Sequence, residues 1–227
     1  GQVTGRLKGT ATIYANSKVG GFFDSCLVTV RQGVEQISLN STCNSALTGT
    51  TVQLTALVSP VDAYIKALSW SSDNGSIASV DQTGLVTCTN PGTATIKASA
   101  TDGTGISASY SITVIRLVSG ISISVPSLSI NVGEQATLPI IIEPEDASDK
   151  TIVCSSSDPS IVSVSSMGVV NGISRGFSTI TATTSDGGFQ ANCTVEVKQP
   201  VIGITLDRSN TGIALGEKIQ LIARVNP

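Results

Sequence analysis

The sequence predicts an all-β protein built from tandem antiparallel β-sandwiches, and three observations support this. Short segments alternate apolar and polar residues, as in GTATIKASA from Gly92 to Ala100. Turn-forming Gly, Pro and Asp-Gly residues recur roughly every ten residues, and no segment has helical periodicity. The same segments also return along the chain at a fixed interval, which indicates duplicated domains.

The segment GTATIKASA is predicted to be a half-buried strand. Ala94, Ile96 and Ala98 fall on one face of an extended chain, and hydroxyl or charged residues fall on the other. Near copies begin at Gly9 (GTATIYANS) and at Phe177 (FSTITATTS). The sequence therefore predicts the same core strand three times.

A second set of repeats begins with a glycine and ends with a proline. Gly49 (GTTVQLTALVSP) recurs 84 residues later as Gly133 (GEQATLPIIIEP), and 83 residues after that as Gly216 (GEKIQLIARVNP). The segments LSWSSDNGSIASVDQTGLV and IVCSSSDPSIVSVSSMGVV follow the first two copies. A period of this length predicts small domains rather than the short units of a solenoid.

The repeats divide the chain into four parts. Residues 34–117 and 118–200 are predicted to be complete domains of seven or so strands, each with its own core. Residues 1–33 are predicted to be the C-terminal part of such a domain, and residues 201–227 the N-terminal part of a further one. Two interpretations of these partial domains stay open: the chain is a segment of a longer array, or neighbouring molecules complete each other by exchanging strands.

Composition excludes several kinds of partner. The chain has 13 basic and 16 acidic residues without a basic cluster, which predicts no nucleic-acid partner. Its apolar runs are only a few residues long, which predicts no direct membrane insertion.

The residue types also predict a protein that is not an enzyme. The chain has no histidine, so it lacks the usual base of a nucleophile triad and the commonest transition-metal ligand. Its five cysteines have no CxxC spacing, which argues against a zinc site. The densest carboxylates, Glu143, Glu145, Asp146 and Asp149, are interpreted as a solvated loop. We expect no catalytic residues, no bound metal and no cofactor.

The cysteines suggest two disulfides. Cys154 and Cys193 take the places of Trp70 and Tyr110 in the preceding repeat, which predicts a bond across the core if those two positions are in contact. Cys43 and Cys88 are predicted to form a second pair because the next repeat lacks both. The remaining residue, Cys26, would then pair with a residue upstream of this chain. These bonds would indicate an oxidising compartment, and the alternative is that the cysteines are free thiols.

The repeated motifs resemble a known family. A glycine turn, an L-x-A-x-V-x-P strand, then LSWSS, SIASVD, GLV and GTATI occur in order, and together they resemble the bacterial immunoglobulin-like domain, group 2. The resemblance extends over essentially the whole chain, with Cys154 departing from the Trp that the family has at that position. It implies tandem immunoglobulin-like sandwiches, such as those of intimin and invasin-type surface proteins, of phage structural proteins and of extracellular enzymes that use them as spacers.

The expected function is a non-catalytic, extracellular or cell-surface stalk with an adhesive role, belonging to a longer bacterial surface protein. Two alternatives stay open: a phage virion protein that binds cell-surface glycans, and a spacer of an extracellular enzyme. The expected partners are adjacent domains of the same chain and a cell-surface glycan or protein receptor, and a homo-oligomer also stays open. Tyr64, Phe22 and Phe189 are candidate surface contacts, as aromatic residues in predicted loops.

Overall fold

The computed structural model of the chain describes residues 1–226, and every regular element in that range is a β-strand. The strands fall into two compact units, the first comprising Gly1–Arg116 and the second beginning at Leu117. The predicted all-β fold class is confirmed.

The first unit contains eleven strands. They are β1 (Gly9–Asn16), β2 (Phe23–Val30), β3 (Gln36–Asn40), β4 (Ser45–Leu47), β5 (Thr51–Gln53), β6 (Thr55–Ser59), β7 (Leu68–Ser72), β8 (Ala78–Val80), β9 (Leu85–Cys88), β10 (Gly92–Ala100) and β11 (Ser107–Ile115).

Strands β3 to β11 form two packed layers, which we term the first sandwich. One layer has the strand order β4-β11-β10-β7, and the other contains the pair β3-β6 and the group β5-β9-β8. Val52 and Val86 from one layer meet Ile96 and Ile112 from the other in a buried cluster that also contains Trp70. This core lies within the sandwich, between its two layers.

The strand β10 coincides with the segment GTATIKASA. Its apolar residues Ala94, Ile96 and Ala98 are at most 1% exposed, whereas Thr93 and Lys97 on the opposite face are exposed. A complete antiparallel register joins β10 to β11, from Gly92 opposite Val114 to Ser99 opposite Ser107. The alternation in the sequence therefore identified a core strand correctly.

The start of the first sandwich passes from one layer to the other. Strand β3 pairs with β6 in an antiparallel register, and residues 41–44 then lead into β4, which pairs with the last strand, β11, in a parallel register. Strands β5 and β6 are likewise separated at Leu54, whose N–H donates to the carbonyl of Gly84. These two interruptions explain why the domain has nine strands where about seven are predicted.

Over its described residues, 117–226, the second unit also contains eleven strands. They are β12 (Gly120–Ile123), β13 (Ser127–Asn131), β14 (Gln135–Thr137), β15 (Ile140–Glu143), β16 (Ile152–Ser156), β17 (Val162–Val164), β18 (Val169–Gly172), β19 (Gly176–Thr184), β20 (Gln190–Lys198), β21 (Gly203–Leu206) and β22 (Ala223–Asn226).

Strands β12 to β20 form the second sandwich, which repeats the strand order of the first. One layer is β13-β20-β19-β16, and the other contains β12-β15 and β14-β18-β17. Ile180 on β19 takes the place of Ile96 and is fully buried with Val162, Val170 and Val195. The parallel pairing of β13 with the last strand spans five residue pairs, compared with three between β4 and β11.

Outside the sandwiches, each unit contains a two-stranded hairpin. Strands β1 and β2 form an antiparallel hairpin in the first unit, and β21 pairs with β22 in the second. Among the described residues, no helix is long and apolar enough to cross a membrane.

Candidate binding surfaces and turn carboxylates

Asp149, in the acidic loop of the second sandwich, does not have the electrostatics of a general acid. One carboxylate oxygen of Asp149 accepts a hydrogen bond from the Thr151 N–H at 2.9 Å. Hydrogen bonds from the side chain and the backbone of Thr151 lower the pKa of Asp149 below its ordinary value. A carboxylic acid that donates a proton near neutral pH requires the opposite shift. Within residues 1–226, no group of three or more His, Cys, Asp or Glu side chains is placed to hold a metal ion.

Two other turn aspartates act as hydrogen-bond acceptors, Asp73 for strand β10 and Asp158 for its own turn. Asp73 accepts from the Thr95 N–H at 2.7 Å, and Asp158 accepts from the Ser160 hydroxyl at 2.6 Å. In both cases the hydrogen bonds lower the pKa of the carboxyl group. These carboxylates therefore stabilise loops between strands, as the interpretation of such segments as turns requires.

One aspartate in each sandwich also holds the segment that leads into its first strand. Asp102, in the turn between β10 and β11, accepts a hydrogen bond from the Val34 N–H at 2.6 Å. Asp186, in the matching turn between β19 and β20, accepts one from the Val118 N–H at 2.8 Å. Each residue lies 68 positions beyond its donor, so both sandwiches use the same contact, which we term the N-terminal clamp.

The N-terminal clamp of the first sandwich should weaken in acid. The Thr104 hydroxyl and, to a smaller degree, the Val34 N–H lower the pKa of Asp102 from its ordinary value of 3.8. A lowered pKa means that the stabilisation is present above pH 3.8 and is lost as the pH falls through the folded-state value. Asn in place of Asp102 has one acceptor oxygen, so the variant cannot satisfy both donors.

We therefore expect Asp102→Asn to lower the melting temperature by a constant amount between pH 5 and pH 7, and the difference from the unmodified chain to shrink below pH 3.8. Thermal melts followed by Trp70 fluorescence measure this directly. A difference that grows as the pH falls would contradict the assignment.

The structure contains neither of the two predicted disulfides, since all five cysteines are free thiols. The predicted Cys154–Cys193 bond is wrong for a geometric reason. Cys154 lies opposite Ala182 and Cys193 lies opposite Ile180, so strand β19 separates them. Two interstrand spacings and a two-residue offset place their Cα atoms about 12 Å apart, beyond the limit of about 7 Å for a disulfide.

The Cys43–Cys88 pair is also unbonded in the structure. Cys88 is fully buried at the end of β9, whereas Cys43 is exposed in the segment before β4. Burial and, to a smaller degree, the charge of a nearby Cys43 thiolate raise the pKa of the Cys88 thiol. Cysteine usage therefore gives no support to an oxidising compartment.

The three aromatic residues predicted as surface contacts are exposed, and each has a local contact. The guanidinium carbon of Arg31 lies 3.7 Å from the centroid of the Tyr64 ring. Phe22 is 76% exposed and Phe189 is 38% exposed. The N–H of each phenylalanine donates to a hydroxyl at the start of its hairpin turn, at 3.1 Å and 3.0 Å. Their positions are therefore those of turn residues, and a contact role for them stays a prediction.

A more extended apolar surface, which the sequence interpretation did not identify, lies on the β1-β2 hairpin. Tyr14, Phe23 and Leu27 are 64%, 74% and 68% exposed, respectively. Register pairs Tyr14 with Ser25, so Phe23 and Leu27 are its two diagonal neighbours on the same face. Strand alternation in the sequence would have placed these three side chains together.

The family model described as "Bacterial Ig-like domain (group 2)" matches residues 33–109 and 117–195. The chain belongs to this family. The two matched segments take in most of the first and second sandwiches, so the family resemblance derived from the repeated motifs is confirmed.

Three relatives are similar in sequence to parts of this chain. An uncharacterized protein of Clostridium acetobutylicum is 33% identical over 181 residues, which are 76% of this chain and 19% of that protein. An Ig-like virion protein of Serratia phage KSP90 is 28% identical over 168 residues, covering 72% of this chain and 65% of the phage protein. A lacto-N-biosidase of Bifidobacterium bifidum is 43% identical over 81 residues, covering 34% of this chain and 7% of the enzyme. The chain thus spans less than two thirds of the length of each relative.

Proposed function

We propose that this chain is a non-catalytic, load-bearing stalk segment of a bacterial surface protein, located outside the cell. The observation that carries the proposal is the parallel pairing of an early strand with the last strand in one layer of each sandwich, β4 with β11 and β13 with β20. Tension applied through the two ends of a sandwich pulls these neighbouring strands in opposite directions. All hydrogen bonds between them are then loaded together, rather than broken one after another.

Two further features support the same proposal. Each sandwich has a core of its own, so its stability does not require a particular partner. Each N-terminal clamp fixes the segment that leads into a sandwich to a turn of that same sandwich. A stalk made of such domains gains length by repetition while each domain bears the load separately.

Single-molecule stretching of the chain between terminal handles tests this function. We expect two unfolding events, each releasing roughly 290 Å of chain for about 80 residues. Thr48 is half-buried and its N–H donates to the carbonyl of Ile115 at 2.9 Å, next to the β4-β11 pairing. Thr48→Pro removes that donor at a cost of about 1 kcal/mol, which speeds unfolding about fivefold and lowers one of the two force peaks.

Thr48→Ala is the matched control, because it removes the side chain and keeps the backbone hydrogen bond. It should leave both force peaks unchanged. A chain that extends without resolved force peaks would refute the load-bearing role. Equal effects of the proline and alanine variants would show that the hydrogen bonds near β4 do not bear the load.

A virion protein is the second candidate, favoured by the phage relative that aligns with 72% of this chain. A spacer of an extracellular enzyme is the third, because part of the chain is similar to a lacto-N-biosidase. In all three settings the chain is non-catalytic, and its partners are neighbouring Ig-like domains and a glycan or protein receptor on a cell surface. Antibodies against this chain that label intact bacterial cells would support the surface stalk, and labelling of purified phage particles alone would support the virion protein.

A further inference from the structure

The outer face of the β1-β2 hairpin carries an apolar patch on an otherwise polar strand surface. We infer that this face binds a neutral carbohydrate chain, by stacking sugar rings on Tyr14 and Phe23 beside Leu27. The inference gives the proposed contact with a cell-surface receptor a binding surface and a ligand class, and it rests on that proposed contact. Eight residues form the face: Thr10, Thr12, Tyr14, Asn16, Phe23, Ser25, Leu27 and Thr29.

The hairpins β10-β11 and β19-β20, which are the counterparts of β1-β2 in the two sandwiches, show which residues this face has when it carries no patch. In β10-β11, the residues at the positions of Tyr14, Phe23 and Leu27 are Lys97, Ser107 and Ser111. In β19-β20 the same positions are polar again, and they are occupied by Thr181, Gln190 and Thr194. The fold therefore does not require apolar side chains at these positions, and their presence on one of the three matching hairpins needs another explanation.

The patch also lies on the side that does not form the core. The opposite face of β1 has Ala11, Ile13 and Ala15, which match the buried core residues of β10. In β10 and β11 the face that matches the patch is the solvent side of the sheet, where Lys97 and Ser111 are exposed. Packing within a sandwich thus leaves this face free for an external partner.

The chemistry of the face favours a neutral glycan. None of its eight residues is charged, so the face offers no pairing for an acidic or basic ligand. The faces of aromatic rings carry partial negative charge and attract the C–H groups that line one side of a sugar ring. The Thr12 and Ser25 hydroxyls and the Asn16 amide lie between the apolar side chains, where they can bond sugar hydroxyls.

The size of the face argues against a protein as the occupant. Two strands of eight residues cover about 26 Å by 10 Å, which is about 260 Å². A stable protein interface buries about 800 Å² on each partner. A linear glycan needs only a narrow strip, and two exposed aromatic side chains on a flat surface supply one.

Affinity electrophoresis in native gels tests the inference, with soluble galactomannan and hydroxyethylcellulose as neutral probes and polygalacturonate as the acidic probe. We expect at least one neutral polysaccharide to retard the chain and polygalacturonate to leave its mobility unchanged. The triple variant Tyr14→Lys, Phe23→Ser and Leu27→Ser installs the side chains of β10-β11. It should raise the apparent dissociation constant for the retarding polysaccharide roughly tenfold or more.

A reciprocal variant keeps the test independent of the stability of the β1-β2 hairpin. Lys97→Tyr, Ser107→Phe and Ser111→Leu place the patch on the first sandwich, and they should restore retardation when combined with the triple variant. Unchanged mobility of the unmodified chain in both neutral gels, or equal retardation of the triple variant, would overturn the inference. So would self-association in sedimentation that the triple variant abolishes, since it would assign the patch to a protein contact. In each of these cases the unmodified chain would still show force peaks in the stretching experiment. A failure of the glycan inference can therefore be distinguished from a failure of the proposed stalk function.

Discussion

Replacing Ile96 with alanine is expected to lower the free energy of unfolding of the first sandwich by about 2 to 5 kcal/mol. Ile96 is fully buried in the middle of β10, between Tyr110 on β11 and Ser72 on β7. Truncation removes apolar contacts and leaves a cavity that the two layers cannot close. Trp70 is the sole tryptophan of the chain and is 8% exposed in the same core, so its fluorescence in urea reports this sandwich alone.

The repeats supply two controls for this substitution. Ile180→Ala makes the same change in the second sandwich and should leave the Trp70 midpoint unchanged, while far-ultraviolet circular dichroism reports the loss. Ile13→Ala makes the change on β1, where the side chain is 41% exposed, and should have a much smaller effect. If Ile180→Ala shifts the Trp70 midpoint as much as Ile96→Ala does, the sandwiches do not unfold as separate units.

Replacing Gly84 with alanine should cost the first sandwich about 2 to 5 kcal/mol, through two separate effects. The backbone of Gly84 has φ +81°, a left-handed conformation that costs other residues about 1 to 2 kcal/mol. An added Cβ atom would lie 2.8 Å from the carbonyl oxygen of Leu54 and 3.0 Å from the Trp70 ring. Relieving that clash adds about 1 to 3 kcal/mol.

Gly49 separates the two effects because it has nearly the same conformation without the clash. Its φ is +82°, and a Cβ atom there would meet nothing within 4 Å. Gly49→Ala should therefore cost only the conformational part, about 1 to 2 kcal/mol. Urea titrations followed by Trp70 fluorescence give the free energy of unfolding of both variants. Equal losses of stability would mean that the clash of the added Cβ atom with Leu54 and Trp70 is relieved without cost.

Much of the fold was predictable because strand alternation and turn residues are local signals. The strand GTATIKASA has the predicted bounds, and its buried residues are those that the alternation selects. The parallel pairing of β4 with β11 was not predictable in the same way. Alternation indicates that a segment is extended, but it does not say which distant strand the segment pairs with.

For the candidate sites, too, the sequence gives local patterns but not the distances between residues on different strands. The repeats correctly matched Cys154 with Trp70 and Cys193 with Tyr110. Such a match does not give the distance between the two cysteines, and only the strand register shows that β19 lies between them. Tyr14, Phe23 and Leu27 were within reach of sequence reasoning. Aligning three copies of one hairpin and comparing their outward positions would have identified them.

The parallel pairing of β4 with β11 and of β13 with β20 also determines when each sandwich can complete its folding during synthesis. Synthesis delivers the N-terminus first, at about 5 to 20 residues per second, so about 80 residues require about 4 to 16 s. Strand β4 cannot pair with β11 until β11 has been synthesised, and the same holds for β13 and β20. The first sandwich therefore has all its strands available before the last strand of the second sandwich has been made.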